Sequence, residues 1–218
     1  MSNRSKARDL AREHLNSGDA TGWFEILYAR ADGNADVIPW ADLVPNPNLV
    51  AWAERERLRS DGHRALVVGC GLGDDAEYLA GLGFETIAFD IAPTAIDWCR
   101  RRFPESPAAY RVADLFRMPG EWRTAFDLVV EAYTLQSLPV EMHGQALSCL
   151  ASTVRPGGRL LVICRGRDAE DERGKIPWPL SRADLAPLTD LGLEEVSFED
   201  YVDDEHLPVR RLRVVYRA

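Results

Sequence analysis

"ALVVGCGLGDDAEYLAGLGFETIAFD", residues Ala65 to Asp90, contains the pattern that decides the fold. The apolar run Ala65–Val68 has the length and composition of a buried β-strand. Three alternate glycines follow it, and then come a helical pattern over Asp74–Leu82 and a second strand over Thr86–Phe89. This order of strand, tight turn, helix and strand predicts the first unit of a parallel sheet, because parallel strands need a crossover connection.

The rest of the chain continues the same alternation. Further apolar strands alternate with helical patterns, and two more strand-like runs close the sequence, joined by "DDEHLP" at 203–208, which predicts a hairpin. We therefore predict an α/β fold: a Rossmann-like, seven-stranded, mostly parallel sheet with an antiparallel last strand and helices on both faces. The predicted strands are Ala65–Val68, Thr86–Phe89, Ala109–Val112, Phe126–Val130, Arg159–Cys164, Glu194–Val202 and Arg210–Tyr216. The predicted helices between them are Asp74–Leu82, Thr94–Phe103, Val140–Val154 and Arg182–Thr189.

The N-terminal part of the chain has a different character from this core. Helical patterns over Ser5–Ser17, Trp23–Arg30 and Leu49–Leu58 accompany a loop with three prolines over Val37–Leu49. Proline lacks an N–H and restricts the residue before it, so we expect no helix to continue through that loop. We predict one compact domain in which residues 1–60 form helices and a Pro-rich loop and residues 61–218 form the Rossmann-like core.

Charge and composition argue against polyanionic partners and metal ions. The chain has 26 Lys and Arg against 35 Asp and Glu, a formal net charge of −9, and such a surface repels phosphate backbones and anionic membranes. Its four cysteines are widely spaced with no C-x-x-C pair, which predicts reduced thiols and no metal site. With no membrane-length apolar run and no apolar signal core, we expect a cytoplasmic protein that binds neither nucleic acid nor membrane. The oligomeric state is left open.

The spacing of the glycines indicates which ligand the turn holds. A dinucleotide fingerprint is G-x-G-x-x-G, whereas this chain has Gly69, Gly71 and Gly73, with Asp74 where the third glycine belongs. A carboxylate at the mouth of the turn would oppose a diphosphate. A ligand with a positive centre and no phosphate fits better, and S-adenosylmethionine, a sulfonium joined to an adenosine, is such a ligand. For Asp74 and Asp75 we expect only a helix N-cap role.

Two acids after the next strands suit the adenosine part of that ligand. Asp90 ends the second strand, where a carboxylate can accept both ribose hydroxyls, although it could also cap the helix that begins near Pro93. Asp114 follows the third strand and could accept the adenine amino group, with Leu115 against the ring. The strand, the glycine turn and Asp90 together favour a cofactor site at this edge of the sheet.

At this point the chain resembles the class I S-adenosylmethionine-dependent methyltransferases. The glycine turn, Asp90, Asp114, "FDLVVEAYTLQSLP" at 126–139 and "RPGGRLLVI" at 155–163 carry the resemblance. More narrowly, Trp23 to Tyr28, "IPW" at 38–40 and "IPWPLSRADL" at 176–185 are similar to the thiopurine, thiol and halide methyltransferase group. The resemblance implies that the N-terminal helices cover the cofactor. It implies cofactor contacts from Trp23, Leu27, Gly69, Cys70, Gly71, Asp90, Ile91, Asp114, Leu115 and Glu131.

The resemblance has departures that leave the acceptor open. Many class I enzymes have an acid late in the first strand, where this chain has Val67, and thiopurine enzymes have Asp-Arg where it has Glu131-Ala132. We expect Glu131 to act as a base or to stabilise the cation, and Tyr133 to hydrogen-bond the acceptor or to shape its pocket. The predicted acceptor pocket contains Trp40, Tyr133, Gln136 and Trp178. We read Cys70 as a packing residue and not as a nucleophile.

Three functions remain open from the sequence. The first is transfer of a methyl group to a small-molecule acceptor, a thiol or another soft nucleophile. The second is binding of S-adenosylmethionine without turnover. The third is an NAD-dependent oxidoreductase, against which the glycine spacing weighs.

Overall fold

The sheet has the predicted seven strands in the order β3-β2-β1-β4-β5-β7-β6. The computed structural model describes residues 2–204 and 207–218. Pairing is parallel for β2 with β3, β1 with β4 and β4 with β5, and β7 is antiparallel to both β5 and β6. The prediction of a mostly parallel sheet with a reversed last strand is therefore confirmed. The strands are β1 Arg64–Val68, β2 Glu85–Asp90, β3 Ala109–Val112, β4 Phe126–Ala132, β5 Val154–Arg165, β6 Glu194–Val202 and β7 Arg210–Arg217.

The chain divides into two compact units that differ from the predicted halves. The first unit runs to Gly62 and resumes over Gly69–Asp114; the second comprises His63–Val68 and Leu115–Ala218. The proposed division near residue 60 stays a prediction. In the predicted hairpin, Glu205 and His206 lie outside the described residues, and β6 and β7 pair on either side of them.

The first unit contains five helices among its described residues. They are α1 Asn3–Asn16, α2 Gly22–Ala31, α3 Pro47–Arg55, α4 Asp74–Gly81 and α5 Pro93–Arg102. The predicted start of α3 at Leu49 is wrong, because Pro47 occupies its first turn and the Asn46 side chain caps it by accepting from Asn48 N. Proline is tolerated there, since the N–H it lacks would have no partner inside the helix.

The second unit builds its core on β4 and β5, whose central residues are fully buried. Helix α6, Val140–Thr153, lies between them in sequence. The predicted helix 182–189 is two short helices, α7 Arg182–Leu185 and α8 Pro187–Asp190. Pro187 explains the break, because it cannot donate the hydrogen bond that a continuous helix needs. Among the helices in the described ranges, none combines the length and apolarity that crossing a bilayer requires.

Candidate functional site

The glycine turn after β1 adopts a backbone that side chains rarely tolerate. Gly69, Gly71 and Gly73 have φ values of 60°, 54° and 94°, in the left-handed region. A Cβ on Gly73 would lie 2.6 Å from the Tyr110 hydroxyl, and one on Gly71 would lie 3.3 Å from the Tyr28 hydroxyl. Glycine is therefore required at Gly73 by both conformation and space, and at Gly71 mainly by conformation.

Replacing Gly73 with alanine is expected to lower the free energy of unfolding by about 2–4 kcal/mol, from left-handed strain plus overpacking. The measurement is urea unfolding. Gly81→Ala is the matched control, because Gly81 is helical and its added Cβ would have nothing within 4 Å. That variant should be unchanged or more stable by up to about 1 kcal/mol. Equal losses in the two variants would contradict this account of the turn.

The acids that follow the turn do not cap α4. Gly73 occupies the N-cap position, and no side chain caps the helix. Asp74 instead forms a two-bonded ion pair with Arg102, both N···O distances being 2.8 Å, and Asp75 accepts from Asn46 N at 2.7 Å. The N-cap prediction is wrong, because each carboxylate binds a partner distant in sequence and not the N–H groups at the start of α4. Arg102 also neutralises Asp74, so the charge of Asp74 is a weaker argument against a diphosphate than the sequence suggested.

Asp90 supplies a stronger argument against a diphosphate. Its side chain is 7% exposed; Oδ2 accepts from Gly71 N at 3.0 Å and Oδ1 from Ala92 N at 2.9 Å. A diphosphate-binding turn presents its backbone N–H groups to the ligand, but here the Gly71 N–H is already bonded. Burial raises the pKa of Asp90 to about 6, against the lowering effect of these backbone N–H groups. The carboxylate is thus mostly ionised at neutral pH.

Aromatic side chains from α2 and the following loop gather beside this turn within the first unit. Trp23 is 3% exposed and stacks on Phe24 with ring centres 3.9 Å apart, and Trp40 meets Trp23 edge-on at 5.9 Å. Trp40 Nε1 donates to the Tyr28 hydroxyl at 2.9 Å. The indole Nε1 of Trp23 has no hydrogen-bond partner among the described residues. A buried donor of this kind is suited to a ligand acceptor.

Sequence reasoning did not place Tyr28 among the site residues. Its hydroxyl is the atom that a Cβ on Gly71 would meet, and the same core cluster contains Leu72 and Ala92, with Leu27 packed against it. The available signal was the apolar spacing of Phe24, Leu27, Tyr28 and Ala31, which marks one helix face.

Cys70 lies within the turn and has the character of a packing residue. Its hydrogen bond with the Cys99 thiol and its burial raise the pKa of Cys70 well above the usual value, so the thiol stays protonated. Cys99 Sγ donates to Gly71 O at 3.2 Å. After β3, Ala113 N donates to Asp90 O at 3.0 Å, which ties the segment before Asp114 to the end of β2. Ile91 and Asp114 are half-buried.

Glu131 is the most unusual acid of the second unit. It is 0% exposed, and Oε1 accepts from Thr134 N at 2.6 Å and Leu135 N at 2.9 Å, whereas Oε2 has no partner among the described residues. Burial raises the pKa of Glu131 to about 7. Glu131 pairs in register with Val68, the residue before Gly69 in sequence.

The other predicted pocket residues of the second unit are held by backbone contacts. Tyr133 has φ 68° and donates its N–H to Ile163 O at 3.0 Å. Gln136 is buried; its Oε1 accepts from Arg165 N and its main-chain oxygen accepts from Trp178 N, both at 2.7 Å. Gln136 and Trp178 are therefore neighbours, and the amide oxygen of Gln136 already has a donor. Leu115 is buried and opens a single 3₁₀ turn.

Comparison with known proteins identifies a domain within the chain. The methyltransferase domain family matches residues 66–162, which include the glycine turn, Asp90 and Glu131. The match identifies a methyltransferase domain over that region, and together with the methyltransferase relatives it supports a class I S-adenosylmethionine-dependent methyltransferase. Members of the family use S-adenosylmethionine, so the NAD alternative is not supported.

Two relatives of this methyltransferase have named activities. A probable thiol methyltransferase of Arabidopsis thaliana is 26% identical over 209 residues, 92% of this chain and 88% of that protein. The 2-heptyl-1-hydroxyquinolin-4(1H)-one methyltransferase of Mycobacteroides abscessus is also 26% identical, over 69% of this chain and 66% of that protein. A Burkholderia thailandensis 1,6-didemethyltoxoflavin-N1-methyltransferase shares the fold with a TM-score of 0.68 at 16% identity, covering 100% of this chain and 90% of that one.

Among residues 2–204 and 207–218, no three His, Cys, Asp or Glu side chains group as metal ligands. Two sets of residues in the described structure are suited to the chemistry. These are the glycine turn with Asp90 and the aromatic cluster in the first unit, and Glu131 with Tyr133 in the second.

Proposed function

We propose that this methyltransferase transfers a methyl group to a small-molecule thiol or another soft nucleophile. The observation that carries the proposal is the buried carboxylate of Glu131, whose Oε2 has no partner in the described part of the chain. A buried polar atom with nothing to bond is costly unless a ligand meets it. The similarity to a probable thiol methyltransferase over most of both chains supports the same acceptor class.

The first unit has the features that the cofactor requires. A carboxylate offers about four lone-pair sites; backbone N–H groups engage each Asp90 oxygen once, which leaves capacity for two ribose hydroxyls. The absence of a side chain at Gly71 lets a ligand approach the backbone. The packing of α2 against Leu72 supports the proposal that the N-terminal helices cover the cofactor. We assign Trp23, Leu27, Gly69, Cys70, Gly71, Asp90, Ile91 and Asp114 to this role; cofactor contacts from Leu115 and Glu131 stay predictions.

S-adenosylmethionine supplies, when bound, an electrophilic methyl group on a positively charged sulfur. The chain has then to hold the acceptor and remove its proton. A base with a pKa of about 7 is matched to a thiol, whose ordinary pKa is about 8.5. It is poorly matched to an aliphatic alcohol. Glu131 therefore takes the proton of an S–H acceptor at Oε2, while the N–H groups of Thr134 and Leu135 hold Oε1 in place.

The pocket residues have supporting roles in this proposal. Tyr133 donates a hydrogen bond to the acceptor atom, and Trp178 contributes apolar ring surface; the pocket role of Trp40 stays a prediction. Gln136 positions Trp178 through its main-chain oxygen. A cytoplasmic location stays a prediction.

The test is product formation from S-adenosylmethionine with a panel of acceptors: an alkyl thiol, thiophenol, iodide, phenol and an aliphatic amine. Methylated product is identified by mass spectrometry. We expect kcat/KM for thiophenol to exceed that for phenol by about 10-fold or more, because the softer and more acidic acceptor needs less base assistance. Transfer to the amine alone would contradict the thiol assignment while leaving methyl transfer intact.

A further inference from the structure

Arg211 on β7 makes an enclosed contact with Tyr133. Its side chain is 4% exposed, and its guanidinium carbon lies 5.0 Å from the centre of the Tyr133 ring. Arg211 Nε donates to Asp203 Oδ2 at 2.5 Å, and the Asp203 carboxylate is equally enclosed. The planar guanidinium is therefore held by an acid while its face meets an aromatic ring, a favourable cation–π arrangement.

Tyr133 needs such support because its backbone is strained. A φ of 68° is unusual for a bulky residue, and strain of this kind persists only where the surroundings impose it. The Tyr133 N–H donates to Ile163 O, and its carbonyl accepts from Ser137 Oγ at 2.9 Å. These bonds fix the backbone of Tyr133, but they do not set the direction of its ring. The guanidinium of Arg211 contacts the ring itself.

The buried Arg211–Asp203 ion pair is not expected to add much to the free energy of folding. Removing two charges from water costs about as much as their attraction returns, and apolar replacements are often as stable. A role in fixing a neighbouring group explains the pair better than a role in stability alone.

We propose that Arg211, held by Asp203, is a positioning residue that fixes the Tyr133 ring against the methyl acceptor. The inference rests on the proposed function, since Tyr133 is taken there to meet the acceptor. Arg211 itself touches neither acceptor nor cofactor in this account.

Arg213 provides a matched control two residues along the same strand. It is 6% exposed, its guanidinium nitrogens donate to Glu199 at 2.9 and 2.7 Å, and its guanidinium carbon lies 5.1 Å from the ring centre of Tyr201. The burial, the acid and the aromatic ring are thus repeated. Arg213 faces Tyr201 and not Tyr133, so Arg213→Lys controls for the loss of a buried, ion-paired guanidinium on this strand.

The experiment compares Arg211→Lys with Arg213→Lys in the full chain. The KM for thiophenol is measured by product formation, and the dissociation constant of S-adenosylmethionine by calorimetry. Lysine keeps the charge but loses the planar face, so Arg211→Lys should raise the thiophenol KM by about 10-fold. The cofactor affinity should stay within about 2-fold, and Arg213→Lys should change neither value. Adding Tyr133→Leu to Arg211→Lys should raise KM no further than Tyr133→Leu does alone.

If Arg211→Lys does not fold, the neutral pair Arg211→Gln with Asp203→Asn takes its place with the same expected rise in KM. Equal KM values for the two lysine variants, in a wild-type protein that methylates thiophenol, would overturn the positioning role and leave the proposed function standing. A wild-type protein that methylates no thiol would overturn the proposed function, and this inference with it.

Discussion

Asp90→Ala is expected to weaken S-adenosylmethionine binding by about 100-fold or more. The variant loses two hydrogen bonds from ribose hydroxyls to a charged acceptor, each worth about 1.5–3 kcal/mol, and every 1.4 kcal/mol is about tenfold in affinity. Isothermal titration calorimetry with S-adenosylmethionine and with its demethylated product measures the change. Both ligands should be affected alike, because both carry the ribose.

Asp75→Asn is the matched control for Asp90→Ala. Asp75 is also an enclosed acid of the first unit that accepts from a backbone N–H, and burial raises its pKa to about 6 as well. It is paired with Asn46 and lies outside the proposed ribose contact, so its replacement should leave cofactor affinity within about 2-fold. Unchanged affinity in Asp90→Ala, or an equal loss in Asp75→Asn, would remove the ribose assignment.

The pH dependence of cofactor binding has a definite sign. The pKa of Asp90 is raised to about 6, so the ionised form predominates above that pH. Since the ionised form is the better acceptor of ribose hydroxyls, affinity should fall as the pH drops below about 6. This decline should be absent from Asp90→Ala.

Glu131→Gln is expected to lower kcat for a thiol acceptor by about 100-fold to 1,000-fold, within the range for loss of a general base. Cofactor affinity should change little. The wild-type rate should rise with pH through about 7, where Glu131 loses its proton, and the variant should lack this rise. Asp127→Asn is the control, because Asp127 is an acid on the same strand, bonded to Arg64 N and Arg155. Wild-type kcat in Glu131→Gln would contradict the base assignment.

Glu131→Gln is also expected to raise the free energy of unfolding relative to wild type as the pH rises, although it lowers activity. The pKa of Glu131 is raised in the folded state, from 4.5 to about 7, so the folded protein binds this proton more tightly than the unfolded chain. Its contribution to stability is therefore lost as the pH rises from about 4.5 to about 7. That shift is worth about 3 kcal/mol at 1.36 kcal/mol per pKa unit. Urea unfolding should show Glu131→Gln gaining about this much relative to wild type between pH 4 and pH 8.

The parts of the site that depend on local sequence could be predicted. The strand, the glycine spacing and the acid at the end of β2 lie within one stretch of the chain, and the structure joins Asp90 to Gly71 directly. The mostly parallel direction of the strands also follows from the alternation of strands and helices, because parallel strands need crossover connections.

The parts that depend on distant partners could not be predicted. Arg102 and Asn46, which bind Asp74 and Asp75, are 28 and 29 residues away from them, and no local pattern indicates these contacts. The early start of β5 was missed for another reason: Gly157, with φ 78°, belongs to a segment that reads as a turn, yet the strand begins before it. Tertiary pairing overrides local preference there.

The central claim is that the glycine turn binds S-adenosylmethionine and excludes a diphosphate. A competitive calorimetric titration of the wild-type protein with S-adenosylmethionine, its demethylated product and NAD tests it most directly. We predict saturable one-to-one binding of the first two ligands and no heat from NAD, because Asp90 already holds the Gly71 N–H that a diphosphate would need. Binding of NAD that S-adenosylmethionine displaces, or no binding of S-adenosylmethionine, would contradict the account.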